Sequence, residues 1–194
     1  MIEPFTYDGE TYHIRDNIGL VQALERCAAA YRNRGLSVCH NHPDPMWVRL
    51  YAASERLRQA VLRNDVPREI LDIGSSLMGC DGMAILELHG PASLCLLSSS
   101  GMTAGRRQAL VINTSEVASA IAEGQISIVN TDTPYNQLWS ELGITAFVPV
   151  WHEDSPKGAI IFYQFLPERN DLDLADRELL RLLAMFAGPC LFNR

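Results

Sequence analysis

Gly143-Ile-Thr-Ala-Phe-Val-Pro-Val-Trp-His-Glu-Asp-Ser-Pro-Lys-Gly-Ala-Ile-Ile-Phe-Tyr163 decides the fold. Two apolar runs, Gly143–Val150 and Lys157–Tyr163, flank the polar turn His152–Pro156, which is the pattern of a β-hairpin. Outward from it, Gly82-Met-Ala-Ile-Leu-Glu-Leu88 reads as a strand that follows the turn Gly79-Cys-Asp-Gly82. Ser93-Leu-Cys-Leu-Leu97 is a second strand after His89-Gly-Pro91, and Gln125-Ile-Ser-Ile-Val129 alternates like a half-buried one. Ser115–Glu123 reads as a short helix capped by Thr114 or Ser115. The acidic turn Asp171-Leu-Asp-Leu-Ala-Asp176 opens a leucine-rich helix carrying Leu179, Leu180, Leu183 and Phe186, which Gly188-Pro189 is expected to break near its end. From Val66 onward the order is helix, strand, strand, helix, strand, strand, strand, helix: one sheet with helices packed on it. Ser98–Arg107, polar and with two glycines, reads as an exposed loop; Asn130–Leu142 has room for a helical turn.

Residues 1–65 read as a helical extension that runs into the domain at 66–194 without a low-complexity linker. Asp8-Gly9 between β-formers predicts a short hairpin, because both residues of a type I′ turn need positive φ. A helix follows from Asp16 or Asn17, with Ile18, Val21, Leu24, Ala28 and Tyr31 on one face. A second runs from about Met46 to Arg63, with Trp47, Leu50, Leu57 and Val61 on a seam. Asn64-Asp65-Val-Pro67 stops or kinks it and starts a third, whose buried stripe is Ile70, Leu71, Leu77 and Met78.

The chain has 194 residues, 47% of them hydrophobic and 20% charged, enough apolar surface for a real core. No apolar run approaches the roughly 20 residues that span a bilayer, and Met1–Asp8 lacks the pattern of a signal peptide. These features predict a cytoplasmic protein without a membrane partner. The five cysteines, odd in number and irregularly spaced, fit reduced thiols better than a disulfide framework. The net charge of −7 falls within residues 66–194, where fifteen acids face eight Lys and Arg; in residues 1–65 eight acids cancel eight Arg. That sign excludes a nucleic-acid backbone as the expected partner, since such binding needs a basic face.

Cys80-Asp-Gly-Met-Ala-Ile-Leu86, Gly143–Val150, Gly158-Ala-Ile-Ile-Phe162 and Asp176-Arg-Glu-Leu-Leu180 recur in this order and spacing in a known family. On them, residues from about 66 to 192 resemble the GAF domains, which are small-molecule sensor and regulatory modules. The resemblance implies an α+β fold, a central antiparallel sheet of about six strands with helices on both faces, preceded here by the helical N-terminal extension. It also implies a ligand pocket on one face and a homodimer formed through helices. The family's pocket positions map onto Thr103, Asn130, Asp132, Trp139, Phe147 and Tyr163. The function implied is binding of an unidentified small molecule and relay of that event to a partner signalling protein. Pro156-Lys157, Leu172 and Asp176-Arg177 depart from the cyclic-nucleotide-binding branch, and the domain lacks the cysteine-histidine pair of the bilin-attaching branch.

Two other readings stay open. One is an interaction or dimerisation module whose pocket is filled by its own side chains; Trp139, Met102 and Tyr163 are large enough. The other is a thiol-dependent reductase of small sulfoxides, which requires Cys80 and Cys95 to come within about 7 Å between Cα atoms. No glycine-rich phosphate loop or nucleophile elbow is present, and the chain is expected not to be an enzyme. Cys39, His40 and His42 form the one dense cluster of metal-capable side chains, with Asp44 nearby, but no second Cys/His pair completes a zinc set. Arg106-Arg107 is placed at the implied pocket mouth, where a guanidinium recognises carboxylate or phosphate; a solvated loop is the alternative.

Overall fold

A computed structural model describes residues 5–7, 10–12, 16–37, 44–90, 93–128, 135–165 and 172–193. The described residues form two compact units, one made of Met1–Ile73 with Asp171–Arg194, the other of Gly74–Asn170.

The first unit begins with the expected hairpin: β1 (Phe5–Tyr7) pairs antiparallel with β2 (Glu10–Tyr12), Tyr7 opposite Glu10. Helices α1 (Asn17–Ser37), α2 (Pro45–Arg63) and α7 (Leu174–Phe192) pack on one another. Leu20, Leu24, Cys27, Ala28 and Tyr31 of α1 and Leu50, Ala53, Leu57 and Ala60 of α2 are buried, at the three- and four-residue spacing of a helix seam. Asp44 caps α2 by accepting from the Met46 amide at 2.9 Å, with Pro45 in the first turn. Asn64, at φ 56°, closes α2 with a left-handed residue, and α3 (Val66–Met78) follows. At the start of α7 Asp173 and Asp176 form a reciprocal capping box: the Asp176 amide donates to Asp173 at 2.7 Å and the Asp173 amide to Asp176 at 3.0 Å. Arg49 of α2 pairs with both carboxylates, and Asp176 is fully buried beneath it.

Helix α7 does not break at Gly188-Pro189 but runs on to Phe192. So near a helix end, proline removes one amide donor, and the carbonyl that loses it lies only a turn back. A cut at residue 65 follows the chain; the compact units follow packing, and group α7 with α1 and α2.

The second unit is built on a sheet of β3 (Cys80–Leu88), β4 (Leu94–Ser100), β5 (Ser127–Ile128), β6 (Ala146–His152) and β7 (Ser155–Phe165), in the order β4-β3-β7-β6-β5 with every pair antiparallel. Ala84 faces Ile161 across β3 and β7, and Phe147 faces Ile161 across β6 and β7. The β6–β7 hairpin closes at His152 and Ser155, with Glu153 and Asp154 at φ 50° and 57°, as a type I′ turn demands. Gly158 lets β7 lie close against β3: a Cβ there would sit 1.9 Å from the Leu86 carbonyl oxygen.

Alternation sends two sets of side chains to opposite faces. Ala84, Leu86, Phe147, Ala159, Ile161 and Tyr163 join a core with α4 (Ala104–Ile112), α5 (Thr114–Glu123) and α6 (Asn136–Leu142). On the other face Gly74 of α3 sits against Met83 and Phe162. Helices therefore cover both faces, as expected, but among the described residues the sheet has five strands rather than six. The two further strands, β1 and β2, pair only with each other there, and the chain between β4 and α5 coils into α4. The expected loop at Ser98–Arg107 is the end of β4 and the start of α4; Asn113 precedes α5 without capping it, because its side chain donates to the Ala109 carbonyl at 2.9 Å.

Candidate functional site

Of the residues mapped to a pocket, three come together, and they fill the space rather than line it. Trp139, held by the short helix α6, is fully buried and stacks on Phe147 with ring centroids 4.6 Å apart and planes 18° apart. Tyr163 of β7 is buried in the same core cluster. The indole nitrogen of Trp139 and the hydroxyl of Tyr163 have no hydrogen-bond partner among the described residues. Leaving such a group unpaired costs about 1–3 kcal/mol. Burial pushes the Tyr163 hydroxyl pKa up, against the opposing pull of the Arg106 guanidinium, which lies 4.9 Å from its ring centroid. Tyr135 caps the cluster at 5.5 Å from Trp139 and donates to Glu123 at 2.6 Å. Desolvation first, then the Glu123 carboxylate, raises its hydroxyl pKa to about 12.

Thr103 is exposed and structural: its hydroxyl accepts from the Arg106 amide at 3.2 Å and caps α4. Asn130 and Asp132 lie outside the described residues, as do Cys39, His40 and His42. No group of three His, Cys, Asp or Glu able to hold a metal occurs among the described residues, and no described helix is long and apolar enough to cross a membrane.

Open space lies to the side of this core, under α4. A cavity of about 70 Å³ is walled by Leu86 of β3, by Leu94 and Leu96 of β4, and by Met102, Leu110 and Val111. Its polar lining comes from Arg107 and Thr114. The Thr114 hydroxyl is occupied by the Val111 carbonyl at 2.9 Å, with that of Leu110 at 3.2 Å, so Arg107 is the polar group left to meet a guest. Met102, Arg107 and Val111 also border a larger, more open hollow of about 440 Å³, with Ala104 and Gln108. The two adjacent arginines thus part: Arg106 lies over Tyr163 and reaches Gln164 at 3.5 Å, while Arg107 stands at the cavity. The leucines of β3 and β4 carried no signal as pocket residues, because an apolar strand residue looks the same in sequence whether it meets a side chain or a void.

The strand register separates the two cysteines named for thiol chemistry. Cys95 is opposite Glu87, near the far end of β3 from Cys80. Seven strand positions at about 3.3 Å each put them roughly 20 Å apart, too far to bridge. Burial raises the Cys80 thiol pKa, the opposite of what a reactive thiolate needs.

The architecture is that of an α+β domain with a five-stranded antiparallel sheet covered by helices on both faces. More narrowly, the fold is GAF-like. No family model matches the sequence, and no curated protein matches it either. Among solved structures, JSC1_58120g3 in its far-red-absorbing dark state with bound biliverdin IXa superposes at a TM-score of 0.52 and 13% identity, covering 72% of this chain and 97% of that one. The third GAF domain of Slr1393 from Synechocystis sp. PCC6803, in its photoproduct state, gives 0.49 and 15% over 66% and 92%. A GAF domain/HD domain protein from Geobacter sulfurreducens gives 0.46 and 14% over 66% and 91%.

Proposed function

We propose that this chain is a regulatory GAF-like domain of the cytoplasm that binds a small molecule in the lateral cavity under α4 and passes the event to a partner signalling protein. The observation that carries this reading is the apolar cavity of about 70 Å³ with one arginine at its edge, on a fold whose central space is closed by Trp139 and Phe147. A ligand held better in one arrangement of α4 than in another shifts the population of that arrangement. Helical dimerisation is the relay this reading adopts from the family.

The reading does not extend to a bilin. JSC1_58120g3 holds biliverdin IXa, but the apolar recess here is about 70 Å³, against roughly 300–1,000 Å³ for drug-sized ligands, and the hollow beside it lies open to solvent. Within residues 66–194, Cys80, Cys95 and Cys190 are followed by Asp81, Leu96 and Leu191, not by histidine.

The burial of Trp139, Phe147 and Tyr163 favours a second reading, a non-catalytic interaction module with a filled pocket. A native mass spectrum of the freshly purified protein, before and after denaturation, separates the two. A small mass released on denaturation and missing from Leu96→Phe, which fills the cavity, supports the sensor. A bare spectrum, with a Met102 methyl resonance that does not move under xenon, supports the module; xenon enters dry apolar cavities.

A further inference from the structure

Resting on the lateral-cavity reading, we infer that the site takes a short aliphatic monocarboxylate, about four to six carbons long, with its alkyl end in the cavity and its carboxylate on Arg107. Three observations set the class. Size comes first: the apolar recess of about 70 Å³ takes an alkyl end of a few carbons, and the adjoining hollow of about 440 Å³, bordered by the same Arg107, leaves a charged headgroup in reach of solvent. The second is chemistry of the wall. Leu86, Leu96, Met102 and Leu110 offer no partner to a polar group, so whatever enters must be hydrocarbon. The third is charge. Among the described residues no acidic side chain lines the cavity or the adjoining hollow, and Arg107 borders both. An ammonium group, whether of an amine or of a zwitterionic amino acid, would find no counter-charge there. A carboxylate would meet a planar guanidinium fork suited to two parallel hydrogen bonds. A phosphate monoester would also suit Arg107, but its second negative charge would find no further cation, since Arg107 is the one basic side chain lining either space among the described residues.

The test titrates the full chain with valerate, 1-pentanol and pentylammonium, three probes of equal chain length, following the Met102 methyl resonance. Valerate is expected to bind roughly tenfold more tightly than 1-pentanol, the difference one charge-assisted contact supplies at a solvent-facing arginine. Arg107→Gln should bring valerate down to the level of the alcohol while leaving the methyl spectrum of the free protein in place. Arg107→Lys, which keeps the charge and loses the fork, should fall between. Leu96→Phe should abolish binding of all three. Equal affinity for valerate and pentanol, or tighter binding of pentylammonium, overturns the carboxylate assignment and leaves the cavity as a ligand site. No response of Met102 to any probe overturns both the assignment and the lateral-cavity reading.

Discussion

At the scale of single residues, the core under α4–α6 combines tight packing with polar atoms that find no partner among the described residues. Trp139 carries the largest fully buried side chain of the second unit and is stacked on Phe147. Trp139→Ala should cost about 3–5 kcal/mol, read from chemical denaturation, because a cavity the size of an indole cannot collapse beside a sheet. Tyr163→Phe should go the other way. Its hydroxyl is buried without a partner among the described residues, so removing it should leave stability unchanged or raise it by up to about 1 kcal/mol. The Arg106 guanidinium keeps an aromatic face to lie over in that variant, so the ring contact is not the cause of any difference. His152, at the β6–β7 hairpin, gives a pH dependence of known sign. Burial, aided by Lys157 and opposed by Glu153, holds its imidazole pKa below the ordinary value. The folded state then binds fewer protons than the unfolded one, so the associated stability is present above about pH 6.5 and is lost as the pH falls through the depressed pKa. Unfolding measured across that range should show a shallower acid slope in His152→Gln.

Elements depend on how their ends are held. Asp176 caps α7 and is the fully buried partner of Arg49, so Asp176→Ala should cost about 3 kcal/mol and Asp176→Asn, which still accepts from a backbone amide, clearly less. Equilibrium unfolding of the pair of variants checks this. The strands were the legible part of the sequence: β3, β6 and β7 are apolar runs bounded by turns, and the capping Asp173 with Asp176 announces α7. Helix α4 was not legible. Gly105, Arg106, Arg107 and Gln108 have the composition of a loop, and only the packing of Leu110 against the sheet, together with the Thr103 cap, makes them a helix. The site failed for a related reason. Resemblance places Trp139, Phe147 and Tyr163 at pocket positions, yet whether a large ring lines a void or fills it depends on the volume left by residues far away in sequence. Arg107 was legible as an anion-binding candidate, but nothing in the sequence told it apart from Arg106.

For the molecule as a whole, the decisive feature is that the first compact unit is discontinuous: residues 74–170 fold as the second unit between its two pieces. Helix α7 packs against both α1 and α2, so their seam is incomplete without it. Amides of α1 and α2 that resist hydrogen exchange in the full chain should exchange freely in a chain ending at residue 170.

That discontinuity also sets an order in time. During synthesis α1 and α2 leave the ribosome early, but the helix that completes their packing follows roughly 100 residues later. At about 5–20 residues per second the wait is roughly 5 to 20 s. Throughout it the side of the α1–α2 pair that α7 will cover, Arg49 included, stands open, while residues 74–170 are already long enough to begin forming their sheet. The newborn chain thus passes through a stage in which its second unit is the older one, and a chaperone that recognises exposed apolar helices would find its opportunity there.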